Sequence, residues 1–243
     1  MTYPIQFVSL GPGDPELITI KGLNALRGAD IIHCPATQGE DGIRSRSMEL
    51  VKNLGIHRDA IHPFLLPMSK GRSEALKTYD ELYKTAKVEQ TEGKRIAIVA
   101  EGDAGFYSSI SYVYDRLVTE RVPVKRIAGV PAFLAAGACG GLHVVKQEEQ
   151  LLVIPGTTTQ EELEREIANE RVIVLMKLSH DPITIKECIR NHADKIAFHY
   201  FEYVGTEKEY HTSNPMEILN RDFPYFSLMI IRPRSVTPKV MRL

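Results

Sequence analysis

The chain has 243 residues, 43% of them hydrophobic and 25% charged, a soluble globular composition long enough for one large domain or two small ones. Thirty basic residues against 31 acidic leave a formal charge of -1, which gives no support for a nucleic-acid binder. No apolar run approaches the roughly 18 residues of a membrane span, and the N-terminus "MTYPIQFVSLG" lacks the basic and apolar regions of a signal peptide.

In chain order, "IQFVSL" reads as a short apolar strand, and "ELITIKGLNALRGA" places Leu17, Ile20, Leu23 and Leu26 near helical spacing. "DIIHCPAT" is a second strand running into a loop. Helices are expected from Arg46 to Leu54 and from Ser69 to Glu92. The continuous apolar run Ile96 to Ala100 ends in a glycine turn, "EGDAGFYSS", followed by the helix "ISYVYDRLVTE". "PVKRIAGVPAFLAAGACG" supplies a further strand, a turn and a helix of small residues. Buried strands alternating with helices predict a parallel or mostly parallel sheet covered on both faces.

After about residue 145 the texture changes. "QLLVIPG", "RVIVLMKL", "KIAFHYFEYV" and "YFSLMIIRPR" are strand candidates, with helices at Gln160–Ala168 and Pro182–Asn191. These strands are longer and some alternate, as in antiparallel or mixed sheets. Two α/β domains are expected, 1–125 and 126–243, joined within residues 122–145 and leaving a cleft for a ligand. The basic tail "RPRSVTPKVMRL" is expected to be loosely ordered. Cys34, Cys139 and Cys188 are odd in number, widely spaced and without a CxxC pair. They point to reduced thiols in a cytoplasmic protein, with neither a disulfide frame nor a zinc site.

The loop "GPGDPEL" tests what the cleft holds. Gly11 and Gly13 fit the first two positions of a dinucleotide fingerprint, but Glu16 occupies the third, and no Walker Gly-Lys-Ser/Thr follows. Asp14 and Glu16 lie where a phosphate would need donors. Asp14 reads equally as the cap of a following helix. The second loop repeats the design, an apolar strand followed by Gly102-Asp103 and a helix. Ligands of open α/β sheets bind outside the carboxyl ends of strands, so both loops belong to one edge. Carboxylates beside flexible backbone suit a ligand with positive charge, hydroxyls and an amine. S-adenosylmethionine has that profile.

These residues resemble the tetrapyrrole (corrin/porphyrin) methyltransferase family. "GPGDPELITIKGLNALRGADII", "EGDAGFYSS", "GVPAFLAAGACGGL" and "VIVLMKL" are similar to its motifs, in the same order and over nearly the whole chain. "FLLPM", "EEQLLVIPG", "VLMK" and "PYFSLMIIR" are similar to the branch that methylates C-20 of precorrin-2, or of its cobalt chelate (cobalt-factor II), in cobalamin synthesis. The resemblance implies a class III S-adenosylmethionine methyltransferase. Its fold would be two α/β domains, each with a five-stranded mixed sheet, with the active site in a trough between them, in a homodimer. It implies cofactor contacts at Pro12, Glu101, Gly102, Asp103, Phe106, Pro131, Ala132, Met176, Gly205 and Ser227. Two departures stand out: Ala104 where the family usually has Pro, and "GVPAF" where this branch usually has "GVSSF". Other ring positions, another substrate such as diphthine, and a non-catalytic S-adenosylmethionine-binding regulator are the alternatives.

Methyl transfer to a carbon needs alignment and a dry site more than a covalent partner, in keeping with the lack of a nucleophile–histidine set. Candidates for a base are Asp103, Tyr107 and Asp14. The substrate is a macrocycle bearing many carboxylates, so cations are expected around it. Arg44 and Arg46 are the leading choices, with Lys70 and Arg72 on another loop, and Asp14 is a further substrate-side candidate. The histidines show no metal-binding spacing, and no bound metal is expected. His33 and His143 are expected near strand or helix ends that face the trough.

Overall fold

A computed structural model describes residues 2–67 and 72–234. Lys70 and the tail beyond Arg234 lie outside the described residues, and Arg72 enters them only as the backbone start of a helix. The chain divides into two compact units, Met1–Ala132 and Phe133–Leu243.

In the first unit, β1 (Ile5–Ser9) lies between β5 (Ile96–Ala100) and β6 (Val124–Ile127), parallel to both. Beyond β5 lies β2 (Ile31–Gly39), and on its far side β4 (Ile61–Leu65), again parallel. The alternation of side chains explains why these runs are apolar throughout. Phe7, Ile96 and Ile98 face one core with Tyr79, Leu82 and Tyr83 of α3 (Arg72–Thr91) and Val113 and Leu117 of α4 (Ser111–Thr119). Val8, Ala97 and Val99 face the other, with Leu26 of α1 (Ile20–Arg27) and Leu50 and Val51 of α2 (Arg46–Asn53). Each large side chain buried in this way contributes roughly 1.5–3 kcal/mol of transfer free energy.

The first sheet has six strands, one more than expected. Gly39 and Gly42 close a hairpin that returns β3 (Gly42–Arg44) antiparallel along the end of β2. β4, "IHPFL", is hidden in the sequence by His62 and Pro63 and by a mostly exposed pattern. An edge strand tolerates a proline that an inner one would not. The expected boundary at 125/126 cuts through β6, which is hydrogen-bonded to β1 from Val124 to Ile127. The helix expected directly after "GPGD" is also displaced. Asp14 caps only a short 3-10 turn, Pro15–Leu17, and α1 begins after its own cap, Thr19, whose hydroxyl accepts Gly22 N–H at 3.0 Å.

The second unit opens with α5 (Ala132–Cys139), whose last seven residues belong to it, and builds a mixed sheet in the order β10-β9-β11-β8-β7. β7 (Leu151–Ile154) is parallel to β8 (Val172–Met176), while β11 (Ser227–Pro233) runs antiparallel between β8 and β9 (Ile196–Glu202). β10 (Tyr210–Thr212) pairs with β9 and, with the five-residue α8 (Pro215–Leu219), is too short to show a period in the sequence. α6 (Gln160–Ala168) starts at a reciprocal cap in which Thr159 and Glu162 each accept a backbone N–H of the other. With α7 (Pro182–His192) it covers a core built on Ile173, Leu175, Phe198, Tyr200 and Met229.

Candidate functional site

β1, β5 and β6 are parallel and in register, so their carboxyl ends deliver three loops to one edge of the first sheet. Two are the glycine loops singled out in the sequence, and they are hydrogen-bonded to each other. Gly11 N–H donates to Gly102 O at 3.1 Å and Gly102 N–H to Gly11 O at 2.7 Å. Gly102 holds φ at +68°, a left-handed conformation that favours glycine.

The third loop is fastened to these by two side chains. Ser9, fully buried, donates to Ile127 O at 2.6 Å and accepts Ala104 N–H at 2.8 Å. The departure at position 104 is thereby used, because proline has no N–H to give. Asp103 accepts Gly105 N–H through Oδ1 and Gly129 N–H through Oδ2, both at 2.7 Å. Its carboxylate therefore clasps the β5 loop to the β6 loop. At Gly129 a Cβ would lie 2.4 Å from Ser9 Cβ and 2.9 Å from Gly102 O, so only glycine fits without movement.

Arg46, the first residue of α2, reaches across the same edge. One guanidinium nitrogen lies 3.5 Å from Glu101 Oε2, and another donates to Pro12 O at 3.4 Å. Its neighbour Arg44 sits on the exposed β3 hairpin and pairs with Asp41 at 2.9 Å, both side chains largely in solvent, where such pairs contribute little. The two arginines grouped in the sequence are therefore separated. Arg46 belongs to the glycine loops; Arg44 does not. Asp14 accepts Glu16 N–H at 2.8 Å. Phe106 and Tyr107 follow the clasp with their rings edge to face 4.7 Å apart, Phe106 half-buried and Tyr107 exposed at φ +49°. Pro131 and Ala132 continue the β6 loop, half-buried.

Burial holds the Glu101 carboxyl above its ordinary 4.5, with Arg46 pulling it down and Glu49 pushing it up. A carboxyl raised on folding favours the folded state fully below its ordinary pKa. That contribution is lost as pH rises through the raised value. Glu101→Gln is thus expected to raise Tm at pH 7, with the gain vanishing toward pH 4, in thermal melts recorded across pH.

In the second unit, the residues implied by the resemblance also gather at one sheet edge. Met176 ends β8 opposite Leu228, and Lys177 N–H donates to Ser227 O at 2.9 Å. Ser227 is buried and donates to Pro224 O at 2.5 Å. Gly205, at φ +76°, follows β9 and donates its N–H to Glu209 at 2.7 Å.

The two histidines expected near the trough do other things. His33 is the third residue of β2, buried opposite Ile98, with Nε2 2.7 Å from Glu89 of α3. His143 is exposed, and its carbonyl accepts a hydrogen bond from Arg232. Among the described residues no three His, Cys, Asp or Glu side chains are grouped to hold a metal ion. Burial pushes the Cys34 and Cys188 thiols up to about 12, and burial together with the neighbouring Glu209 pushes Cys139 up to about 11. None is a ready nucleophile. No helix among the described residues is long and apolar enough to cross a membrane.

Sequence reasoning missed Ser9 and Gly129. The signal for Ser9 was available: a hydroxyl inside an apolar strand must find partners once buried. Gly129 had none, since its constraint comes from strands distant in sequence.

Residues 4–219 match the tetrapyrrole (corrin/porphyrin) methylases as a family. The chain is 29% identical over 229 residues to a precorrin-2 C(20)-methyltransferase from Sinorhizobium sp, covering 92% of this chain and 93% of that one. It is 32% identical over 170 residues, 70% of each chain, to a probable cobalt-precorrin-2 C(20)-methyltransferase from Methanocaldococcus jannaschii. In fold it is similar to a cobalt precorrin-4 methyltransferase, with TM-score 0.70, 17% identity and 94% of each chain covered. It is likewise similar to a uroporphyrin-III C-methyltransferase of Thermus thermophilus solved with S-adenosyl homocysteine, with TM-score 0.67, 18% identity, and 95% of this chain and 97% of that one covered. The motifs, the sheet edge they build and these likenesses agree: the chain belongs to the tetrapyrrole (corrin/porphyrin) methylase family.

Proposed function

We propose that this chain is an S-adenosylmethionine-dependent methyltransferase that methylates C-20 of precorrin-2 or of its cobalt chelate in cobalamin synthesis. The observation that carries the reading is the bridged pair of glycine loops. It presents backbone and one half-buried carboxylate, Glu101, while the cation beside them, Arg46, already faces that carboxylate. This donor set fits a cationic, hydroxyl-bearing cofactor and not a polyphosphate. At Gly102 nothing lies within 4 Å of where a Cβ would stand, so the backbone can be approached closely. The relatives from Sinorhizobium sp and Methanocaldococcus jannaschii support the choice of substrate and ring position.

In this reading Pro12, Glu101, Gly102, Asp103, Phe106, Pro131 and Ala132 hold the cofactor on the first unit. When bound, S-adenosylmethionine supplies an electrophilic methyl group on a sulfonium. Glu101 offers an acceptor to its hydroxyls or amine. Asp103 and Ser9 fix the three loops, so that orientation is set before substrate arrives. Met176, Gly205 and Ser227 are the second unit's candidates for the same cofactor. Tyr107 and Asp14 are left as candidate bases, since both Asp103 oxygens are engaged by backbone. A cytoplasmic homodimer belongs to this reading, and light scattering on the purified chain tests the dimer.

Titration calorimetry with S-adenosylhomocysteine and with ATP tests the cofactor. Micromolar binding of the first and none of the second is expected. ATP binding tighter than S-adenosylhomocysteine would overturn the reading.

A further inference from the structure

The carboxylate clasp of the first unit has a counterpart in the second. Glu209 closes the loop between β9 and β10, and its Oε2 accepts Gly205 N–H at 2.7 Å. Its other oxygen, Oε1, accepts the Cys139 thiol at 3.0 Å. Cys139 is the last residue of α5, so one side chain ties the glycine loop to the helix end. Asp103 does the same between the β5 and β6 loops, again 2.7 Å from a glycine N–H on each side.

Both segments that Glu209 joins are themselves set in place. Tyr203 N–H donates to Phe226 O at 2.9 Å, and Tyr203 takes φ +48°, uncommon for a residue with a side chain. Thr206 folds the loop back, its N–H and hydroxyl both donating to Tyr203 O, at 3.1 and 2.7 Å. Glu209 N–H donates to Thr206 O at 2.9 Å, which brings the carboxylate round to Gly205. On the helix side, a Cβ at Gly140 would stand 2.9 Å from the Phe201 ring and 3.3 Å from the His211 ring. The end of α5 therefore lies close against β9 and β10, with Cys139 beside Glu209.

The clasp also decides what Gly205 can offer. With its N–H held by Glu209, the residue presents a ligand with its carbonyl and no donor. An acceptor there suits an amine or a hydroxyl, the same preference that Glu101 shows in the first unit. Gly205 follows β9 at the sheet edge where Met176 ends β8 and Ser227 begins β11.

We propose that Glu209 is a positioning residue for the second unit's part of the cofactor site. It holds the Gly205 loop in the shape that receives S-adenosylmethionine, with the end of α5 as its anchor. This rests on the functional reading above. The role is geometric: it needs an acceptor at Gly205 N–H, not a negative charge.

The test titrates S-adenosylhomocysteine calorimetrically into wild type, Glu209→Ala and Glu209→Gln. The side chain is exposed, so both variants are expected to fold, and Tm is recorded alongside. Glu209→Ala is expected to weaken binding about tenfold, the scale of one hydrogen bond to a charged acceptor. KM for S-adenosylmethionine should rise by a similar factor, with kcat within twofold. Glu209→Gln keeps a carbonyl for Gly205 N–H and should recover most of the loss. The clasp has its own readout, because Cys139 is exposed while Cys34 and Cys188 are buried. A thiol that donates to a carboxylate is kept from ionising. Ellman's reagent should therefore modify Cys139 about fivefold faster in Glu209→Ala, a phase that Cys139→Ser removes.

S-adenosylhomocysteine affinity within twofold of wild type in Glu209→Ala would overturn the positioning role. An equal loss in Glu209→Gln would overturn it too, by making charge the active feature. Unchanged thiol reactivity would overturn the clasp itself. Wild type that binds no S-adenosylhomocysteine would instead overturn the functional reading beneath it.

Discussion

Asp103→Ala is expected to lower Tm by about 10 °C and to weaken S-adenosylhomocysteine binding about a hundredfold. The substitution strips the acceptor from two backbone N–H groups, those of Gly105 and Gly129, each 2.7 Å from a carboxylate oxygen. Charged acceptors of this kind are worth roughly 1.5–3 kcal/mol apiece. Losing about 3 kcal/mol from a domain of this size corresponds to about that fall in Tm. Asp103→Asn should do nearly as much harm, because its NH2 would face one of the two N–H groups, donor against donor. The prediction separates two roles. A catalytic base at Asp103 would leave Tm and S-adenosylhomocysteine affinity unchanged in the Asn variant and remove kcat alone. Thermal melts, calorimetry and single-turnover rates on the two variants decide the matter.

Gly129→Ala carries the second large effect. The added methyl would stand 2.4 Å from Ser9 Cβ and 2.9 Å from Gly102 O, inside any real contact distance. Neither obstacle is the end of a flexible side chain, so the β6 loop must move away from β1 and the β5 loop. Overpacking of this sort costs about 1–3 kcal/mol, and here it also pulls Gly129 N–H off Asp103. Loss of at least tenfold in kcat/KM is expected, with Tm lower by several degrees. Ser9→Gly removes the nearer obstacle, so Ser9→Gly/Gly129→Ala should recover part of the loss and be less damaging than the two single changes summed. Strict additivity in chemical denaturation would contradict the close approach drawn here.

Much of this edge was legible in the sequence, because its signals are local. Ile96 to Ala100 reads as a buried strand from composition alone, and Gly11-Pro12-Gly13 and Gly102-Asp103 mark where strands give way to loops. The missing third glycine and Walker lysine disfavour a nucleotide phosphate before any fold is known. What escaped depends on partners distant in the chain. Asp103 stands in the sequence as a candidate base, and only the fold brings Gly129 N–H onto its second oxygen. Arg44 and Arg46 looked alike, yet a helix cap at Ser45 sends Arg46 toward Glu101 while the hairpin keeps Arg44 beside Asp41. His33 is the third residue of a β2 that runs two residues beyond "DIIHCPAT", to Gly39, so the strand continues well past it toward the loop edge.

The central claim is a methyl group placed on C-20. The direct measurement uses S-adenosylmethionine labelled with carbon-13 at its methyl, incubated with the purified chain and with metal-free precorrin-2 or its cobalt chelate. The product is then examined by mass spectrometry and carbon NMR. The account predicts a gain of one labelled methyl with at least one of the two substrates, its resonance correlated to C-20. A labelled methyl at any other ring position, or no methyl gained with either substrate, would contradict it.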